Sequence, residues 1–256
     1  MLVSGVVAVV FIVGTVMISW AVYFGMRRVM GEDFAEDTQT LAGSVIIRVA
    51  ALHGLILALV FAQELVDYTQ LQGNLTEEAT AIADVWNDAG RYGEAVAAEV
   101  QPALRRYTQL VIHEEWEVLA RTGRLAPEGW QLREVIYQAV LDLDPATPRE
   151  SDLRAHMVHK AQAIAELRQA RENTALHAVN PLFWLAALAG LVLVAVPYFV
   201  FSPTRLHMVL LSVYGAFSGL VMFVIYAFSD PFAAPGVLEP LAFERLLETE
   251  IGQQVD

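Results

Sequence analysis

The hydrophobic pattern contains four runs that are apolar on all sides for the length of a membrane-crossing helix. The two clearest, 182–201 and 206–229, are separated by a short polar turn, so they predict a transmembrane hairpin. Pro181 suits the first turn of the first of these helices. Asp230 and Pro231 end the second, because the residue before a proline is disfavoured in a helix.

Two earlier apolar runs predict another hairpin. The run 5–27 carries no charge before Arg27 and follows no basic segment, which favours a retained transmembrane helix over a signal peptide. The run 43–65 is less regular because Arg48 and His53 interrupt it. A charged side chain at the centre of a membrane helix costs about 2.5–3.5 kcal/mol, and much less near an end.

The residues between the hairpins show apolar positions three and four apart, which is the spacing of amphipathic helices. We predict helices over 75–89, 92–121, 130–143 and 150–178, with turns at 87–90, 122–129 and 144–148. The predicted fold class is an all-α integral membrane protein with four transmembrane helices in two hairpins and an inserted extramembrane helical domain. The divisions are 1–66 for the first hairpin, 67–180 for the inserted domain, 181–230 for the second hairpin and 231–256 for an acidic C-terminal tail.

Composition agrees with a membrane protein, since 56% of residues are hydrophobic, only 18% are charged and the mean hydropathy is +0.46. The net charge is −13, and the segment 67–180 holds 18 acidic and 11 basic residues. This balance argues against a nucleic-acid partner, which needs a basic face. The absence of cysteine excludes thiol catalysis and disulfides.

The distribution of arginine predicts an orientation. Arg27, Arg28 and Arg205 flank the short connections within the two hairpins, and positive charge is retained on the cytoplasmic side. The expected location is the inner or plasma membrane. The segment 67–180 and both termini are then expected on the outer, periplasmic side.

Ionisable residues inside the run 43–65 are candidates for an ion pathway, because such groups usually face a bundle interior or a water-filled path. Arg48 and His53 are the central pair, and Gln63 and Glu64 are candidates for its mouth. In the alternative interpretation Arg48 extends to the interface and His53 hydrogen-bonds inside a packed bundle.

Small residues predict close helix packing in the second hairpin. Gly215 and Gly219 lie four apart in one run, and Gly190 lies in the other. The sequence leaves open whether they pack within the hairpin or between subunits.

Outside the membrane helices, the sequence offers few candidates for metal ligands or catalytic residues. Asp152, His156 and His159 share one helical stripe and are weak candidates for metal ligands, although a solvated helix face is the simpler interpretation. The sequence has no nucleophile elbow, no H-E-x-x-H motif and no phosphate-binding glycine loop. We therefore predict neither an enzyme nor a cofactor.

Three segments carry a resemblance to a known family: NLTEEATAI at 74–82, YTQLVIHEEW at 107–116 and SDPF at 229–232. With the order of the elements, they make the chain similar to the bestrophin-like domain family of bacterial and plant membrane proteins. The resemblance covers nearly all of the chain. It implies four membrane helices with an inserted helical domain, and a distant relation to bestrophin anion channels, which are pentamers with an axial pore.

Two functions follow. The first is an oligomeric ion channel in the lipid bilayer, with the helix 43–65 lining the pore and Arg48 and His53 setting its field for inorganic ions. The alternative is a non-catalytic scaffold or accessory subunit that docks a protein partner through Trp86, Trp116 and Trp130 of the extramembrane helices.

Overall fold

The computed structural model of the protein describes residues 2–31, 34–176, 179 and 181–251, and all regular structure in these ranges is helical. The α-helices are α1 (Leu2–Met30), α2 (Glu36–Tyr92), α3 (Glu94–Leu110), α4 (Trp116–Thr122), α5 (Pro127–Leu141), α6 (Pro148–Leu176), α7 (Pro181–Ala195), α8 (Arg205–Ser229) and α9 (Leu241–Leu246). Three five-residue segments extend them: a π-helix at Val111–Glu115, a 3-10 helix at Val196–Val200 and a π-helix at Leu247–Ile251.

Four of these helices, α1, α2, α7 with its 3-10 extension, and α8, are long and apolar enough to cross a membrane. The predicted class, an all-α membrane protein with four apolar helices, is therefore confirmed. Pro197 lies where α7 gives way to 3-10 geometry, because a proline removes a backbone donor and disfavours a continuing α-helix.

The chain forms two compact units. Unit 1 contains Met1–Val66, Ala178–Asp230 and Ala234–Gly236, whereas unit 2 contains Asp67–His177, Pro231–Ala233 and Val237–Asp256. Helix α2 contributes to both, since its 57 residues continue without interruption past the division between Val66 and Asp67.

In unit 1, helices α1 and α8 pack closely against each other. A Cβ atom added at Gly219 would lie 2.3 Å from Thr15 Oγ1 and 2.7 Å from the Phe11 carbonyl oxygen. The Thr15 hydroxyl donates to the Gly215 carbonyl at 2.8 Å. The two glycines thus pack α8 against the first membrane helix rather than against α7, which precedes α8 in the chain.

Both short connections of unit 1 lie at the same end of the unit. Arg27, near the end of α1, donates from Nη1 to the carbonyls of Phe199 and Phe201, at 3.3 and 3.0 Å. The Tyr23 hydroxyl donates to the same Phe201 carbonyl at 2.8 Å. These bonds satisfy carbonyls that the break after α7 leaves without helical partners.

The core of unit 2 is built by the second half of α2, by α3, α5 and α6, and by the C-terminal segment. Its fully buried apolar side chains lie at helical spacing, as in the series Val100, Leu104, Tyr107 and Val111. Burial of such side chains contributes about 1.5–3 kcal/mol each before entropy is counted.

The predicted turn at 87–90 is wrong, because these residues are helical and α2 ends only at Tyr92. A glycine inside a helix costs about 1 kcal/mol relative to alanine. Val85, Trp86 and Ala89 are buried in the core of unit 2, and their burial outweighs the weak helix propensity of Gly90. The chain turns instead at Gly93.

The segment predicted as an acidic tail, 231–256, is folded over its described part. Phe243, Leu246 and Ile251 are buried in the core of unit 2. Arg105 of α3 donates from Nη2 to the Ile251 carbonyl at 2.6 Å, and Trp116 donates from Nε1 to the Leu238 carbonyl at 2.5 Å. The described part of the segment thus belongs to the core of unit 2 and is not a solvated tail.

Candidate functional site

Helix α2 presents two different faces within unit 1. One face packs inside the unit and is called here the packed stripe: Ala42, Ile46, Val49, His53 and Leu57. The opposite face is exposed and is called the exposed stripe: Arg48, Ala51, Leu55, Ala58 and Ala62. In this part of α2, Arg48 is the charged member of an otherwise apolar or small-residue surface.

Arg48 and His53, predicted to act together, lie on different faces of α2. Arg48 is exposed, and no hydrogen bond or ion pair joins it to another residue in the described part of the chain. It lies about 10 Å along the helix from the first apolar residue, Leu41, at 1.5 Å per residue. A guanidinium at this depth has to extend to the interface or meet water in a protein-lined path.

His53 is 2% exposed and binds two other helices of unit 1. Its Nε2 lies 3.0 Å from the Ala187 carbonyl of α7, and its Nδ1 lies 2.5 Å from the Tyr214 hydroxyl of α8. A Cβ atom added at Gly190 would lie 2.2 Å from His53 Cδ2, so this glycine makes room for the imidazole. The observed contacts are those of the packed-bundle alternative.

Gln63 and Glu64, the predicted mouth residues, also lie on different faces. Gln63 is exposed, whereas Glu64 is half-buried and continues the packed stripe seven residues after Leu57. Both have contacts within the protein. A role for either in a pathway stays a prediction.

The weak metal candidates do not converge. His156 binds Asp88 of α2 through Nδ1 at 2.6 Å, and Asp88 also binds Arg91 at 2.8 Å. Asp152 and His159 are exposed. Within the described ranges no three histidine or carboxylate side chains are placed to share a metal ion.

A buried ionic cluster in unit 2 was not predicted from the sequence. Its five members come from four helical segments and are shielded from solvent: Glu78, Tyr107, Glu115, Arg168 and Arg171. Two guanidinium groups face two carboxylates, so the fully ionised cluster is electrically balanced. Burial of these groups requires such pairing, because an isolated buried charge is strongly unfavourable.

Glu115 is the centre of the cluster. Its Oε2 accepts from Arg168 Nη1 and from Arg171 Nη2, both at 2.9 Å, and its Oε1 accepts from Arg168 Nη2. The backbone N–H of Ala126 also donates to Oε1, at 3.2 Å. The π-helix Val111–Glu115 presents this carboxylate to α6. Short π-helical segments within α-helices are frequent at functional sites.

Glu78 is the second carboxylate. It accepts from the Tyr107 hydroxyl and lies 3.4 Å from Arg171 Nη2. Burial raises the pKa of Tyr107, and the neighbouring charge of Glu78 acts in the same direction, so the phenol stays neutral and remains a donor. Aromatic rings cover the guanidiniums: Trp130 lies 5.1 Å from Arg168, and Trp116 lies 5.6 Å from Arg171.

The sequence did contain a signal for this cluster. In α6 the buried positions are Met157, Ala161, Ile164, Arg168 and Arg171, which is one continuous stripe with arginines at its last two places. A charged residue where the helical spacing calls for an apolar one indicates a buried ion pair.

The three tryptophans predicted to dock a partner belong to the interior of unit 2. Trp86 is 3% exposed, and Trp116 and Trp130 are partly buried against the core. Most of their surface is therefore used within the protein, and docking of a partner through these side chains stays a prediction.

The fold defines the class of the protein: an all-helical membrane protein with four apolar helices and a second helical unit that contains a buried ionic cluster. Its family model is the bestrophin-like domain, which matches residues 13–239. The chain belongs to the bestrophin-like family. A comparison with curated protein sequences gave no significant match.

Solved structures support the same fold. A variant of a bacterial bestrophin homologue from Klebsiella pneumoniae is 14% identical to this chain, with a TM-score of 0.60, over 96% of this chain and 99% of that one. A second variant is 16% identical, with a TM-score of 0.59 and the same coverage. At these identities the likeness shows the fold alone.

Proposed function

We propose that the protein is an ion channel of the bestrophin-like family, assembled as a homo-oligomer in which the exposed stripe of α2 lines the pathway. Family membership supports the class of activity. The arrangement of α2 supports the pathway, because its packed stripe is used within unit 1 and its opposite face is left for lipid or for other subunits. The two-hairpin arrangement of the membrane helices is part of this proposal.

The single observation that carries the proposal is the exposure of Arg48 within an apolar run. In a monomer this guanidinium would face lipid. In a closed ring of subunits, the exposed stripes of several α2 helices would surround water, and the guanidinium would stay hydrated. The resemblance to bestrophins makes a pentamer the expected ring.

The test of conduction uses the purified protein. Its oligomeric mass in detergent is measured, and the same sample is placed in liposomes for flux assays under chloride and potassium gradients. We expect a symmetric oligomer with ion-selective flux. A monomer, or an oligomer without flux for either ion, would refute the channel and favour an accessory role.

Replacing Arg48 by glutamine is expected to lower the chloride-to-potassium permeability ratio several-fold. A unit charge at about 4 Å from an ion in water changes the energy of that ion by on the order of 1 kcal/mol, which corresponds to a several-fold change in the ratio. Arg28→Gln is the matched control, because Arg28 is also an exposed arginine but lies at the end of α1. Reversal potentials in planar bilayers measure the ratio. Equal ratios for the two variants would remove Arg48 from the pathway.

The orientation of the protein is proposed from arginine distribution. Since the Arg27 side chain is buried against backbone carbonyls, Arg28 and Arg205 carry this bias. In the cysteine-free chain, Ser151→Cys in α6 is expected to react with a membrane-impermeant maleimide in intact cells, and Pro203→Cys only after permeabilisation. The opposite pattern would invert the orientation.

A further inference from the structure

His53 is fixed by directional bonds to two helices. The Ala187 carbonyl can only accept, so Nε2 carries the proton and donates to it at 3.0 Å. In the neutral ring Nδ1 is then the acceptor for the Tyr214 hydroxyl at 2.5 Å. The ring is held between α7 and α8 by both of its nitrogens.

The shape of the site adds a third constraint. Gly190 leaves space into which the imidazole fits, because any Cβ there would overlap the ring. The ring can therefore neither turn nor withdraw without losing a hydrogen bond or opening a cavity. Since the ring is attached to α2 through a single Cβ, the same contacts restrict rotation of α2 about its own axis.

The helical geometry connects this restraint to the exposed stripe. At about 100° per residue, Ala51, Leu55, Ala58 and Ala62 project about 140–200° away from His53. The side chains opposite His53 are thus the centre of the exposed stripe. If α2 rotated about its axis by about 70–100°, Leu52, Leu59 and Gln63 would face the direction that the exposed stripe faces now.

We infer that His53 is a positioning residue that sets the rotation of α2 and thereby selects which of its side chains line the ion pathway. The inference deepens the proposed function and rests on it. His53 itself lies off the pathway, and its effect on permeation passes through the helix that carries it.

The test uses the natural absence of cysteine. Single cysteines are placed at Ala51, Ala58 and Ala62 on the exposed stripe, and at Leu52, Leu59 and Gln63 on its flank. Their labelling by a charged, water-soluble methanethiosulfonate reagent is measured by mass on the reconstituted protein. This readout is independent of conduction, and inhibition of flux by the same reagent is recorded separately as the test of the proposed function.

In the otherwise unaltered protein we expect labelling of the stripe at least about tenfold faster than labelling of the flank. Tyr214→Phe removes one hydrogen bond of His53 and keeps the ring that packs beside it. Gly190→Ala displaces the imidazole. Each is expected to reduce the ratio of stripe to flank labelling at least about threefold. Tyr226→Phe is the control on the same helix, since no hydrogen bond of its hydroxyl is found among the described residues.

Oligomeric mass and melting temperature identify variants that remain folded. A stripe-to-flank ratio that is unchanged in folded Tyr214→Phe and Gly190→Ala proteins would overturn the inference, as would equal labelling of stripe and flank in the unaltered protein. If labelling shifts as expected but never inhibits flux, the positioning role stands for the helix and the proposed pathway is wrong.

Discussion

Glu115→Gln is expected to destabilise the protein by about 3–5 kcal/mol, which is the usual penalty when one partner of a buried ion pair is removed. The glutamine keeps the volume of the side chain but removes its charge. Arg168 and Arg171, both fully buried, would then face only one carboxylate, that of Glu78. The free energy of unfolding is measured by thermal and denaturant unfolding of the protein in detergent. The protease resistance of unit 2 is measured in a separate experiment.

The control for this variant lies two residues away. Glu117→Gln also removes a carboxylate that faces an arginine, Arg121, but both side chains of that pair are about two-thirds exposed or more. Its expected effect is within about 1 kcal/mol. Equal losses for the two variants would show that the buried cluster does not stabilise unit 2. In a second comparison, replacing Glu78, Glu115, Arg168 and Arg171 together by apolar residues, so that no buried charge is left unpaired, is expected to recover part of the loss.

Gly219→Ala is expected to cost about 1–3 kcal/mol, because the added methyl group meets the α1 backbone as well as the Thr15 hydroxyl, and the backbone cannot move aside locally. It would lie 2.7 Å from the Phe11 carbonyl oxygen and 2.9 Å from Ile12 Cα, so α1 and α8 would have to separate. The measurement is the melting temperature of the protein in detergent and the amount of protein inserted in membranes.

Two other glycines make this experiment internally controlled. At Gly215 the nearest atoms to an added Cβ are 3.1 Å away, so Gly215→Ala should cost less than Gly219→Ala. At Gly14 nothing lies within 4 Å, so Gly14→Ala should leave stability unchanged or raise it. If all three variants melted at the same temperature, close packing of α8 on α1 would not determine stability.

The membrane helices were predictable from the sequence because their signal is local. A run of apolar residues identifies itself without knowledge of its partners, and α1, α7 and α8 lie close to their predicted limits. The limits of α2 were not predictable in the same way. Its passage through Gly90 depends on burial against helices that follow it in the chain.

The contacts of each site residue could not be predicted from its neighbours in sequence either. His53 is separated from Ala187 by 134 positions and from Tyr214 by 161, so spacing along the chain cannot show that they meet. The predicted pairing of His53 with Arg48 relied on their being neighbours in sequence. A separation of five residues corresponds to about 140° beyond a full turn of an α-helix, so Arg48 and His53 lie on different faces.

The contact between α1 and α8 has a consequence for biosynthesis. Thr15 and Gly215 are 200 positions apart, so at about 5–20 residues per second α1 waits roughly 10–40 s in the membrane before its partner is synthesised. During this interval its polar side chains face lipid or transient neighbours. Before α8 arrives, the single hydroxyl proton of Thr15 can be donated to the Phe11 carbonyl of α1, 2.8 Å away, and Ser19 donates to the Thr15 carbonyl, so α1 itself can satisfy both hydroxyls. Helix α1 can therefore remain in the membrane without α8 until α8 has been synthesised.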